Sequence, residues 1–125
     1  MNIPKATRPL EYICLFPTDM PTQQGDVFVF FALDVFSDFA FNTGTENQLN
    51  DSLILKHIKL LVNEPNFIKH RNQGFTLVLH KFEHLVTDIN SIIKPLNGKV
   101  IINDPFVAKT FEPFFKVLYQ NMGKV

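Results

Sequence analysis

The stretch Gly25 to Thr45, GDVFVFFALDVFSDFAFNTGT, constrains this chain more than any other. It holds an apolar run from Val27 to Leu33, then Asp34, then a second run from Val35 to Phe41 broken only by Ser37 and Asp38. Valine and phenylalanine pack well on a pleated surface. At this density, bounded by Gly25 and Gly44, they predict two paired strands and not a helix. The hairpin is expected at the centre of the sheet, with helices covering it and further strands extending it.

With 125 residues the chain reads as one domain, long enough to bury a core without disulfides or metal. Its 14 phenylalanines and 46% apolar residues exclude a disordered chain. The formal net charge of +0 argues against a strongly basic nucleic-acid surface and leaves room for a local patch. The single Cys14 can form no intramolecular disulfide, which suits a reducing compartment, and in a strand it reads as a small buried residue. The opening MNIPKATRPLEY has no apolar core of a signal peptide, and no segment reaches membrane-spanning length without charge or proline. The expectation is a soluble cytoplasmic protein with no membrane partner.

Residues 1–9, with Pro4, Lys5, Arg8 and Pro9, read as an extended arm. Leu10 to Phe16 is a first strand ended by Pro17, and Thr18 to Gln24 a polar loop. After the hairpin, Asn50 or Asp51 caps a helix whose Ile54, Ile58, Leu61 and Val62 keep a 3.6-residue period until Pro65. The following link carries the basic run Lys69, His70 and Arg71 and reads as a solvated loop. Phe75 to Leu79 is a short buried strand. From Phe82 to Leu96 one apolar face predicts a helix, closed by Asn97 and Gly98. Val100 to Ile102 is the next strand. Asp104 and Pro105 start a last helix, which Pro113 is expected to break or kink, with a restart there. Three strands followed by alternating helix and strand predict an α/β fold, one mixed sheet covered by helices.

That order, with Leu33-Asp34-Val35-Phe36-Ser37-Asp38 where family members commonly read "iDlfSR", resembles the catalytic core of retroviral-type integrases and insertion-sequence transposases. Phe16-Pro17-Thr18 stands where the family has "D-x-T", so Phe16 takes the place of the first catalytic aspartate. His80-Lys81-Phe82 stands where the fourth strand ends in "D-N-G". Glu112, followed by Phe115 and Lys116, lies in the region of the family's last-helix glutamate. The likeness runs from about Leu10 to Tyr119, and its catalytic positions match least.

The resemblance implies an RNase H-like five-stranded mixed sheet flanked by helices, with residues 10–121 as the core domain and 122–125 as a tail. It implies a polynucleotidyl transferase of a mobile element, acting in DNA integration and recombination through two divalent ions, magnesium or manganese, held by three carboxylates. Here Phe16 offers no ligand, and the nitrogen of His80 suits transition metals better than magnesium. With only Glu112 kept, the expectation is a domain without catalysis and without a metal cofactor, serving in DNA binding or oligomeric assembly. Family cores self-associate, so a homodimer is implied. An alternative is a small protein-interaction module that retains the fold. A lesser one is an active metal-dependent DNA strand-transfer enzyme or nuclease with carboxylates rearranged from Asp19, Asp34 and Glu112.

His80 and His84 have the i, i+4 spacing of two zinc ligands on one helix face, but Lys81 breaks the HExxH pattern. The aromatic run Phe111, Phe114, Phe115 and Tyr119 reads as core or subunit interface. Lys56, Lys59 and Lys69, which could touch a phosphate backbone, read as a solvated face. No glycine-rich phosphate loop, nucleophile elbow or paired-cysteine site is present.

Overall fold

The structure, a computed structural model, describes residues 3–122, and their side chains as far as Val117. In chain order it has β1 (Tyr12–Thr22), β2 (Gly25–Asp34), β3 (Ala40–Glu46), α1 (Asp51–Val62), α2 (Pro65–Arg71), β4 (Phe75–Leu79), α3 (Val86–Ile93), β5 (Gly98–Ile102) and α4 (Asp104–Met122). Single 3-10 turns, Glu83–Leu85 and Lys94–Leu96, flank α3. Tyr119 and the tail beyond Met122 fall outside the described side chains.

The stretch from Gly25 forms the expected antiparallel pair, β2 with β3, but it is not central. The sheet order is β3-β2-β1-β4-β5, which leaves β3 on an edge and β1 in the middle. β1 pairs antiparallel with β2 and parallel with β4, and β4 pairs parallel with β5. The second apolar run is shorter as a strand than its composition suggests. Val35 to Phe39 makes the turn instead, because Asp34 gathers it: its Oδ1 accepts from Leu10 N at 3.1 Å and Phe36 N at 3.3 Å, and its Oδ2 from the Ser37 hydroxyl at 2.7 Å.

Pro17 does not end the first strand, which runs on through Pro21 to Thr22. β4 lines only Tyr12 to Leu15, so beyond Leu15 one edge of β1 is open. Pro17 and Pro21 have the same strand parity, and their missing N–H groups point to that open edge, where no ladder bond is lost. The supposed loop is therefore mostly strand, with Gln23 and Gln24 alone making the turn.

Pro65 opens a helix that replaces the expected loop. Proline at a first helical position loses no hydrogen bond, and Phe67, fully buried, anchors α2 between Phe41 and Phe75 at ring distances of 5.8 and 4.9 Å. Arg71 donates to the Val62 carbonyl at 2.8 Å, so the last turn of α2 covers the end of α1. Asn50, not Asp51, is the cap of α1, its side chain accepting from Leu53 N.

The helix expected from Phe82 is delayed because Lys81 and Phe82 both have left-handed backbones, φ 64° and 65°. Its far end is closed by Asn97 at φ 69°. Gly98 is already the first residue of β5, and Phe75 explains its smallness. A Cβ on Gly98 would lie 2.5 Å from Phe75 Cζ and 2.9 Å from Ile93 Cβ. Pro113 sits inside α4 rather than restarting it. Pro113 and Lys109, whose carbonyl loses its helical donor, are both exposed residues.

Strand alternation sorts the core into two clusters. Ile13, Phe30, Ala32, Phe41, Leu77 and Leu79 face α1, α2 and α3 with Ile54, Ile58, Leu61, Phe67, Ile89 and Ile93. Cys14, Leu33 and Val78 face α4 with Val107 and Phe111. This three-layer arrangement is RNase H-like. No helix among the described residues is long and apolar enough to cross a membrane.

Candidate functional site

The register of the central strands decides what meets at the open end of the sheet. Leu15 pairs with Leu79 in the parallel β1–β4 ladder, so Phe16 and His80, one residue further on each chain, come out side by side on the α4 face. Their ring centroids are 5.2 Å apart. α4 crosses that face, and its Phe111 and Phe115 each lie 5.5 Å from Phe16. Phe16, His80 and Glu112 thus line one open groove with Ala108, Lys109, Phe115 and Lys116.

The groove is aromatic at its floor and charged at its rim. Glu112 is exposed and its Oε1 lies 3.7 Å from Lys116 Nζ, an i, i+4 pair on the outside of α4. His80 Nδ1 is shut off from solvent with no hydrogen-bond partner among the described residues, 3.8 Å from Asp104 Oδ1. That oxygen accepts instead from Lys81 N at 2.7 Å, which holds the chain in the first of two consecutive left-handed residues. Such backbone costs on the order of 1 kcal/mol per residue and persists only where its surroundings enforce it.

A pair of hard divalent ions does not fit these residues. Phe16 supplies a hydrocarbon ring, His80 a nitrogen, and Glu112 a single carboxylate already beside a lysine. Nor are the other carboxylates brought together. Asp34 pairs with Ile13 and Asp19 with Phe28, six positions apart along β1, or about 20 Å at strand spacing. Asp34 is moreover buried and engaged by three donors, whereas Asp19 is exposed.

His80 and His84 do not share a helix face. His80 follows β4 directly, and His84 lies in the 3-10 turn, its Nε2 3.0 Å from Asp51 Oδ1. Among the described residues no three His, Cys, Asp or Glu side chains gather as a metal-binding group. Cys14 is fully buried, and burial pushes its thiol up to about 12, against a smaller opposing effect of a hydrogen bond with Thr110. At neutral pH it is an inert core residue.

The chain is similar to one in a solved retroviral assembly, the simian T-cell lymphotropic virus intasome in complex with PP2A regulatory subunit B56 gamma. The TM-score is 0.75 over 98% of this chain, at 10% sequence identity. The fold is shared. This chain spans 43% of that chain's length. No protein-family model matches the sequence, and no curated protein matches it.

One polar constellation lies away from the groove, and the sequence reading missed it. His57 of α1 is buried and stacks on Phe30, centroids 3.8 Å apart and rings within 5° of parallel. Its Nε2 is 2.8 Å from Glu46 Oε2, which also accepts from Lys56 Nζ at 2.9 Å, and its Nδ1 is 2.7 Å from the Thr43 hydroxyl. A carboxylate only accepts, so Nε2 carries a proton, while the Thr43 hydroxyl bridges Nδ1 and the Phe30 carbonyl, 3.4 Å away. Thr43 and Glu46 are three residues apart and would face opposite sides of a regular strand. A bulge between Val29 and Phe31, with Gly44 at φ 131°, adds the residue that turns both toward His57. The bulge alone had a signal in Asn42-Thr43-Gly44, since glycine inside a strand pattern marks one.

The Lys56 ammonium, then the His57 ring, hold the Glu46 carboxyl below its ordinary value of 4.5. A carboxylate lowered on folding stabilises the native state above its unfolded value, and that contribution is lost as pH falls through the lowered one. Glu46→Gln is therefore expected to melt below the native protein at pH 7, with the gap narrowing from about pH 4.5 downward. Thermal scans across pH 3 to 7 check this, and a gap independent of pH would assign the loss to packing instead.

Proposed function

We propose that this domain is a non-catalytic integrase-core-like module of a mobile-element protein, whose role is DNA binding or assembly into an oligomer. One observation supports it above the rest. The three positions that the resemblance assigns to metal-holding carboxylates, Phe16, His80 and Glu112, converge on a single groove, and two of them carry no carboxylate. The reading is supported by an aromatic floor standing where the resemblance implies a metal-holding donor set.

The test pairs two assays on the full chain. Nicking of supercoiled plasmid in manganese is expected to stay at background. Binding to duplex DNA is expected to be weak and to fall steeply with salt, since the charge balance permits only local phosphate contacts. Manganese-dependent nicking that disappears in Glu112→Ala overturns the non-catalytic reading. Absence of DNA binding even at low salt removes the DNA arm and leaves assembly, through a homodimer or another protein.

A further inference from the structure

The sheet order leaves β3 and β5 as edge strands, and β1 is open beyond Leu15. Two of these edges are guarded. On β1, Pro17 and Pro21 remove N–H groups that a further strand would need. β5 is five residues long and exposes Lys99, a charge that opposes pairing. β3 contains no proline, lysine or arginine. Its Ala40, Phe41 and Asn42 keep a regular register with Leu33, Ala32 and Phe31, and the bulge that bends the strand comes only after them. Backbone alternation fixes what this half presents. Asp34 N donates to the Phe39 carbonyl at 3.0 Å, so Phe39 and Phe41 turn their backbone groups toward β2, and Ala40 and Asn42 turn theirs outward. Among the described residues no turn, loop or cap bond reaches the backbone of either. At the same end stand Phe36 and Phe39, 49% and 48% exposed, with Phe39 leaning edge-on against Phe41 at 4.9 Å.

We propose that this edge pairs with its own counterpart in a second copy of the chain, β3 against β3, antiparallel about a two-fold axis at Phe41. Ala40 of each copy then exchanges backbone bonds with Asn42 of the other, and Phe41 meets Phe41 in the non-hydrogen-bonded pair between them. Phe39 of each copy falls opposite Thr43 of the other and loses its exposure. Outward N–H and C=O groups select an extended backbone as the occupant. A second copy fits because Ala40 and Asn42, two residues apart, are self-complementary under a two-fold. Charge does not oppose it: Glu46, the one charged residue of β3, is held by Lys56 and His57, and the net charge of +0 sets no long-range repulsion between copies. The inference rests on the assembly arm of the reading above and gives it a surface.

The experiment combines sedimentation equilibrium of the full chain with amide hydrogen exchange read residue by residue, both as a function of protein concentration. So small an interface should be weak, with a monomer–dimer dissociation constant on the order of tens of micromolar. The Ala40 and Asn42 amides are expected to exchange freely in the monomer and to become at least tenfold slower as the dimer fills. Ala40→Pro, which removes an outward N–H, is expected to abolish the dimer. Phe39→Lys, at a half-exposed position outside the strand, should weaken it at least tenfold and leave the monomer folded. A chain that stays monomeric at near-millimolar concentration overturns the proposal. So does a dimer that leaves the Ala40 and Asn42 amides unprotected, one that Phe39→Lys does not weaken, or protection that is independent of concentration. Protection that appears only when an alternating valine–threonine peptide is added would assign the edge to another chain and equally removes the second copy. Failure here in a protein without manganese-dependent nicking removes only this interface, whereas nicking that depends on Glu112 removes the reading beneath it.

Discussion

Gly98→Ala is expected to cost about 3 kcal/mol, near the upper end for overpacking a filled core. The melting temperature should fall by roughly 12 °C, at about 4 °C per kcal/mol for a chain of this size. The cause is steric and local. The new methyl would meet Phe75 Cζ at 2.5 Å, Phe75 Cε2 at 2.6 Å and Ile93 Cβ at 2.9 Å, and neither neighbour has anywhere to go. Phe75 is held edge-on against Phe67 at 4.9 Å, and Ile93 is fully buried in α3. Removing part of the obstacle should therefore repair the damage. Gly98→Ala with Phe75→Leu is expected to be more stable than the sum of the two single losses, by at least 1 kcal/mol in a double-mutant cycle. Simple additivity would show that the glycine is needed for another reason, such as its backbone.

Gly98 also shows where reading a sequence stops. Asn97-Gly98 after an apolar helix looks like a helix stop, and a stop is there, but Asn97 takes the left-handed position. The reason for glycine comes from Phe75, a residue 23 positions earlier that only the β4–β5 ladder brings opposite it. The same division runs through the rest of the fold. The order of strands and helices was legible because it depends on local period: Val27 to Leu33, Ile54 to Val62 and Phe75 to Leu79 each carry their own pattern. What was misread depends on neighbours. Pro17 ends a strand only if both edges are paired, and here one is open. Pro65 reads as a stop until Phe67 finds the space between Phe41 and Phe75. The candidate groove rests on a different kind of reading. Phe16, His80 and Glu112 were picked out by resemblance of phrases, and strand register then set two of them side by side. The His57 array was not legible, because nothing in the sequence says that α1 lies over the β3 bulge.

Phe16→Asp with His80→Asp is expected to bind manganese in the micromolar range, whereas the native chain is expected to show no site saturating below millimolar concentration. The double variant would place carboxylates at positions 16, 80 and 112, the oxygen-rich arrangement that hard divalent ions require. Two costs oppose it. Phe16 gives up its contacts with Phe111 and Phe115, a loss of at most about 3 kcal/mol because the ring is only half-buried. Glu112 must also swing away from Lys116, a small cost for so exposed a pair. Metal returns part of this: binding only the native state at a hundred times its dissociation constant adds about 2.7 kcal/mol. The melting temperature of the double variant should accordingly rise with manganese, and amide broadening should centre on residues 16, 80 and 112. Phe16→Ala with His80→Ala, which loses the same packing and gains no carboxylate, should show neither response. Equal behaviour of the two double variants would mean that the three positions, although they line one groove, do not stand in the geometry of an ion site. The correspondence on which the non-catalytic reading is built would then fail with it.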